Sequence, residues 1–364
     1  MEDLFYKIAV TMIPDVGAVT TKSLISYCGG PQAVFEENKK NLEKIPGIGP
    51  ALADKIVNHE VFEAAERELD FIQKFGIRPL FYLDKDYPAR LKNFHDGPAL
   101  LYYRGNADLN AYRTVAIIGT RKPTPKGVSV TENLVEGLKQ FNVTTISGLA
   151  FGIDVAAHRK SLEMNIPTIG VLGHGLQKIY PAQHYDIASR MMENGGLLTE
   201  YWSFKKPDRE HFPMRNRIVA GLCDALIVVE SAKKGGSMIT VNFANDYNKD
   251  VFAVPGRVGD ENSQGCNLLI KSHRAALLES VHDLAYVMRW EEIDARKNIQ
   301  RQMFNEFSEP EKLIVNLLRE SEDVSVDTLA YKCGIVNSEL AGLLLNLEFK
   351  GVIRAVPGNR YILL

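Results

Sequence analysis

FPMRNRIVAGLCDALIVVE, residues 212–230, is the segment on which the reading of the chain turns. ALIVVE at 225–230 is an apolar run without alternation, the pattern of a strand buried on both faces of a parallel sheet. IVAG, just upstream, continues a short helix. Arg215 and Arg217 flank the amide of Asn216, and Phe212 precedes them. A guanidinium grips phosphate in its own plane through two bonds at once, and an aromatic ring beside it offers a face for a base. The segment therefore reads as the heart of a pocket for a single-stranded nucleic acid. The plainer alternative is that both arginines are structural and pair with a carboxylate such as Asp224.

Outward from this segment, over roughly 113–290, strand and helix alternate. TVAIIG (114–119), TTISG (144–148), TIGVLG (168–173), LLTE (197–200) and DVFAVPG (250–256) read as further strands. Helical stretches fall at about 126–140, from Asp154 to about Met164, around His184–Glu193, after Phe212 and after Gly236. That alternation predicts an α/β fold with a doubly wound, extended Rossmann-like parallel sheet. In such sheets ligands sit beyond the carboxyl ends of the strands. GTRKPT (119–124), SGLAFGID (147–154), GHGL (173–176) and GGSMIT (235–240) fall there, each a glycine-bearing strand-to-helix turn suited to cradling phosphate. No strand is followed by G-x-G-x-x-G with an acidic residue about 20 positions on, and G-x-x-x-x-G-K-[ST] is absent. Neither NAD nor ATP is supported, and no cofactor is expected.

The 364 residues suggest two or three domains. A hydrophobic content of 45% with 24% charged residues is that of a soluble globular protein. The net charge of −2 gives no global basic signature, so any anion site is a local patch. Cys28, Cys223, Cys266 and Cys333 are far apart and make no metal spacing; they read as thiols in a reducing compartment. The first residues, MEDLFYKIAV, lack the apolar core of a signal peptide, and no apolar run is long enough to span a bilayer. A cytoplasmic location without membrane partners is expected.

Residues 1–80 contain two similar stretches, IPDVGAVTTKSLI (13–25) and IPGIGPALADKIV (45–57). Ile-Pro-x-φ-Gly followed by a helical run is the spacing of a helix-hairpin-helix unit, of the SAM-like type. Gly47 and Gly49 allow a tight turn that offers free helix amides to a phosphate, and Lys55 adds a charge. The first copy has Asp15 in place of Gly47 and reads as degenerate. The alternative is that the hairpins are only a packing unit, which the acidic surroundings (Glu36, Glu37, Glu43, Asp54, Glu60 and Glu63) favour. A connector at 81–112 reads as turns and one strand, LLYYRG, leading into a domain that extends to 290. Asp84 and Tyr87 there look like turn-forming or docking residues. The polar stretch 291–309 reads as a linker. Residues 310–364 read as three helices and a hairpin around Pro357-Gly358-Asn359, a winged helix. Its third helix carries Glu339, Glu348 and only Lys350 as a base; Arg354 and Arg360 lie near the wing. That distribution favours a protein contact over groove reading.

The series VAIIGTRKPTPKG, ISGLAFGIDVAAHRKSLE, TIGVLGHGLQKIYPAQH, FPMRNRIVAGLCDALIVVE, GGSMIT and VFAVPG, in that order, resembles the DNA-processing protein A family, also called Smf. The resemblance implies a protein of natural transformation that binds and protects incoming single-stranded DNA and loads the RecA recombinase onto it. It also implies a homodimer made through the central domain. The family's Gly-Ser-Arg turn appears as Gly119, Thr120 and Arg121, with Arg121 on a phosphate. Arg209, Phe212, Arg215, Asn216 and Arg217 would bind or shape the pocket, and Gly236, Ser237 and Thr240 would offer donors at a helix start. Lys233 and Lys234 would add long-range attraction; Asp154 and His158 read as scaffolding.

An enzyme alternative uses the same architecture. Phosphoribohydrolases resembling "lonely guy", which cleave bases from nucleoside monophosphates, carry Pro-Gly-Gly-x-Gly-Thr-x-x-Glu with a working Glu. The matching place here, GGSMITVN (235–242), has Val241 and Asn242 where a carboxylate is needed. Glu200 and Glu230 end strands and read as partners of Arg215 or Arg217. With no convergent acid–base set, no catalytic residue and no metal ligand are assigned.

Overall fold

Two strands with no polar face seed the architecture. In the computed structural model, β3 (Thr114–Ile118) and β7 (Ala225–Val228) are buried at every position. They pair in parallel, with Val115 opposite Ala225 and Ile118 opposite Val228. Successive side chains leave a strand on opposite faces. Ala116, Ile118, Leu226 and Val228 accordingly join one apolar layer, which includes residues of α11 (His211–Leu222), α12 (Ser237–Asp246) and α13 (Gln264–Lys271). Val115, Ile117, Ala225 and Ile227 join the other, with α8 (Pro125–Leu138), α9 (Ile153–Glu163) and α14 (Val281–Met288). This is the doubly wound arrangement that the apolar runs imply. The structure describes residues 2–290, 307–319, 324–350, 352–356 and 359–363.

The full sheet has nine strands. β1 (Arg78–Phe81), β2 (Leu100–Gly105), β4 (Thr144–Ser147), β5 (Thr168–Val171), β6 (Gly195–Thr199), β8 (Asp250–Ala253) and β9 (Ala276–Leu277) complete the order β1-β2-β6-β5-β4-β3-β7-β8-β9. Pairs from β6 through β9 are parallel. β1 and β2 are antiparallel, so the sheet is mixed at one edge. The connector supplies β2 and the short helix α7 (Ala89–Lys92), while β1 starts before it, at Arg78. Pro79 within β1 is tolerated because the strand lies at an edge. The chain leaves β3 for β4 on one side and comes back to β7 on the other. That reversal opens a crevice at the carboxyl ends of β3, β4 and β7.

The N-terminal helices form a lobe on this sheet. α1 (Glu2–Met12) and α2 (Ala18–Cys28) make one hairpin; α4 (Lys39–Leu42) and α5 (Pro50–Val57) make the other; α3 (Pro31–Glu36) and α6 (Phe62–Phe75) pack beside them. Asp15 and Gly47 hold the same place in the two turns, with φ of 63° and 85°. The two turns thus share a left-handed residue despite the sequence difference, because Asp is among the few side chains that visit this region. Lys55 pairs with Asp15 and ties the hairpins together. Ile8, Leu24, Ile56 and Ile72 share one core with Leu149, Leu172, Met191 and Leu197, and Met1–Glu292 form one compact unit. No break in packing falls near residue 80. Glu68 of α6 is fully buried and accepts hydrogen bonds from Ser203 N and Oγ, both at 2.8 Å.

Ile293–Leu364 form the second unit. Helices Glu309–Arg319, Val326–Cys333 and Asn337–Phe349 enclose Ile314, Leu329, Leu340 and Leu347. The Glu311 carboxylate accepts hydrogen bonds from Ser308 N and Oγ, at 2.9 and 3.1 Å, at the first helix start. Strands Ile353–Val356 and Arg360–Leu363 pair antiparallel, and Val324–Ser325 adds a third strand not foreseen in the sequence. Most of the expected linker 291–309, and Pro357-Gly358 of the expected hairpin turn, lie outside the described residues.

Candidate nucleic-acid interface

At the crevice the chain encloses a cleft of about 1030 Å³. Gly119, Thr120, Arg121, Arg209, Phe212, Arg215, Asn216, Gly236, Ser237 and Thr240 all line it. Of the residues expected to form the strand pocket, Arg217 alone does not. Among the charged residues of the lining, Arg121, Lys122, Arg209 and Arg215 face only Asp154 and Glu261, an excess of positive charge.

Each wall has a local cause. After β3, Thr120 N donates to Glu230 O at 2.7 Å, and the Thr120 hydroxyl accepts from Lys122 N at 3.2 Å. The turn places Arg121 in solvent, its guanidinium 5.8 Å from the Phe212 ring centre. The Glu230 carboxylate accepts from Thr124 N and Oγ1 at 2.9 and 2.5 Å, orienting the start of α8 rather than an arginine. A Cβ at position 127 would lie 2.4 Å from that carboxyl carbon, so a side chain there would displace the Glu230 carboxylate.

Arg215 is buried at the base of the cleft. Its Nη1 donates to Gly148 O at 2.6 Å and to Val171 O, while its Nε has no partner among the described residues. A Cβ on Gly148 would come within 2.4 Å of the same Nη1. Asp154 accepts from Gly148 N and Ala150 N at 3.1 and 3.4 Å, and burial raises its pKa against the opposing charge of Arg215. Burial pushes Arg215 down to about 10, so it stays charged at neutral pH. Burial also holds His158 down to about 3, and its Nδ1 meets Thr168 Oγ1 at 2.7 Å. His184 Nδ1 meets Leu149 O at 2.8 Å, with Leu149 at a φ of 56°. Asp154 is thus scaffolding for the 148–150 turn, and His158 braces the strand behind it. Across the cleft, Ser237 Oγ donates to Ser231 Oγ at 2.7 Å, and Gly236 leaves the start of α12 without a side-chain cap.

Arg217 sits two residues from Arg215 on α11, and helix residues so spaced do not share a face. It is paired with Glu200 in the interior, with side chains 5% and 14% exposed. The expected carboxylate, Asp224, instead holds Arg90 through bonds of 2.7 and 2.8 Å. The cleft lining does not include Gly47, Gly49 or Lys55, and Lys55 is engaged with Asp15. Tyr180, Lys122 and Asn262 join the cleft although the sequence did not single them out. The Tyr180 ring lies 5.8 Å from Phe212, and the only sequence signal for it is an aromatic before proline in IYPAQH. In the second unit, Lys350 is held by Glu311 at 2.6 Å.

A doubly wound sheet with a cationic cleft at its switch point defines the class, an α/β protein with an anion-attracting crevice. The chain belongs to the family described as DNA recombination-mediator protein A, whose pattern matches residues 78–289; the DprA winged helix domain matches residues 306–359. Protein Smf of Synechocystis is 34% identical over 284 residues, 77% of this chain and 71% of that protein. A putative DNA processing protein DprA of Mycobacterium tuberculosis is 30% identical over 330 residues, 87% of this chain and 85% of that one. The X-ray structure of DprA from Streptococcus pneumoniae superposes with a TM-score of 0.68 at 32% identity, covering 79% of this chain and 98% of that one. The structure of DNA processing protein A from Helicobacter pylori, described for its single-stranded DNA binding mode, superposes at 0.54 with 29% identity, covering 60% and 98%.

Proposed function

We propose that the cleft binds single-stranded DNA without reading its sequence. The observation that carries this is Arg121: exposed, without an ion pair among the described residues, and set against Phe212 and Tyr180 at the cleft. Arg121 and Arg209 would hold phosphates, and the two rings would stack bases. Such contacts grip any strand, because every base has a face and every nucleotide a phosphate. The Helicobacter pylori relative, described for single-strand binding, supports the same ligand.

From family membership we further infer a role in natural transformation: protecting incoming strands in the cytoplasm, loading the RecA recombinase, and acting as a homodimer through the central domain. The winged helix would serve a protein contact. No helix among the described residues is long and apolar enough to cross a membrane. The reading is non-enzymatic. Of the two cleft carboxylates, Asp154 is committed to backbone amides, and no carboxylate stands at 241 or 242. The test is a titration of the full chain with fluorescent oligothymidine beside a duplex of equal length at two salt concentrations. Tight, salt-sensitive preference for the single strand is expected. Absence of binding at low salt would overturn it and put base release from nucleoside monophosphates first.

A further inference from the structure

A second cavity, of about 340 Å³, lies between the first hairpin turn and the opposite side of α11. His211, Met214 and Arg217 form its α11 wall, whereas Phe212, Arg215 and Asn216 of the same helix face the cleft. The size falls at the small end of the range for ligand sites. Both carboxylates in its lining are already matched, Asp15 by Lys55 and Glu200 by Arg217. Lys205 is left as an exposed cation without an ion pair among the described residues. Gly17 and Ala18, at the start of the 11-residue α2, line the same cavity, and Gly17 provides no side-chain acceptor for the first-turn amides. One wall is aromatic: Tyr201 stacks on His211 with ring centres 4.3 Å apart, and Trp202 lines the cavity beside them.

An unmatched cation with free amides and a stacked aromatic wall suits a phosphate joined to a flat ring. We propose that this cavity is a second site, for a nucleoside 5′-phosphate. The nucleotide is either free or one unit of a strand leaving the cleft over the basic segment Lys205–Arg209; only the second source rests on the function proposed above.

Trp202 and Trp290 are the two tryptophans, so Trp290→Phe leaves a single reporter in the cavity. In that background, deoxyadenosine 5′-monophosphate is expected to change Trp202 emission saturably. Lys205→Ala, or Ala18→Pro, should weaken this about tenfold or more, and Arg121→Ala should not. Pro is compatible with position 18, the first helical residue, because Gly17 is extended at φ −83° and ψ 178°. Thermal unfolding of each variant checks its fold. A response to the mononucleotide identifies a free nucleotide as ligand. A response to long oligothymidine, but neither to short oligothymidine nor to the mononucleotide, identifies a unit of the strand. No response to either probe overturns the proposal. So does a response that survives both cavity variants and disappears with Arg121→Ala. Labelled oligothymidine reports cleft binding separately, so the two readings fail independently.

Discussion

Replacing Arg217 with methionine should weaken the fold and leave the salt dependence of strand binding as it was. The guanidinium is 5% exposed and its partner Glu200 14%, so the change strands a carboxylate in the interior. Burial already raises the Glu200 pKa, and the charge of Arg217 is the main force opposing that rise. Breaking such a pair from one side costs about 3–5 kcal/mol. For a unit of this size that corresponds to a drop in Tm on the order of 10 °C. Removing both charges, as Arg217→Met with Glu200→Leu, leaves no orphaned ion and should recover part of the loss. The non-additivity should be roughly 1–3 kcal/mol. The assay pairs thermal unfolding of the single and double variants with oligothymidine titrations across a salt series. A wild-type Tm for Arg217→Met, with a salt slope flattened by about 0.7, would instead place Arg217 on a phosphate of the single strand.

Gly148→Ala sets a Cβ 2.4 Å from Arg215 Nη1 and should displace the side chain that forms the base of the cleft; strand affinity should fall at least tenfold, while an unchanged affinity would show that the cleft tolerates the shift. Phe212→Ala and Tyr180→Ala should each cost about 1–3 kcal/mol of strand affinity without altering its salt slope, since stacking carries no net charge; an altered slope would contradict the assignment. Glu68 gives a pH signature. Burial pushes its carboxyl up to about 7, above its ordinary value of 4.5, despite the hydrogen bonds from Ser203. As pH rises through that window the unfolded chain ionises first, so stability is lost between about 4.5 and 7 and unaffected below it. Glu68→Gln cannot ionise, and its advantage over wild type should grow across this window by up to about 3 kcal/mol, read by unfolding at several pH values; a constant difference would refute it.

The parallel core was legible because β3 and β7 are apolar at every position, a pattern that only a doubly covered strand supports. The edges were not. β1 carries a proline in four residues and β9 has only two exposed residues, so neither has a periodicity to read. The cleft was legible through its turns, which place Gly119–Arg121 and Gly236–Thr240 at strand ends. The separation of Arg215 from Arg217 was hidden, because adjacency in sequence conceals that α11 presents them to different sides. Tyr180 was hidden for the converse reason: its nearness to Phe212 exists only after β5 and α11 meet at the crevice. The Asp15 turn shows a further limit, since a residue that departs from the hairpin pattern adopts the left-handed conformation of the glycine in the other copy.

The most direct measurement is the salt dependence of oligothymidine affinity for wild type and for Arg121→Ala. Arg121 is exposed and unpaired among the described residues, so its loss should leave the Tm unchanged. Binding by the variant should be about tenfold weaker at low salt, with a slope flatter by about 0.7. Equal affinity and equal slope in the two proteins would contradict it, because the cleft would then not be where the strand's phosphates are held.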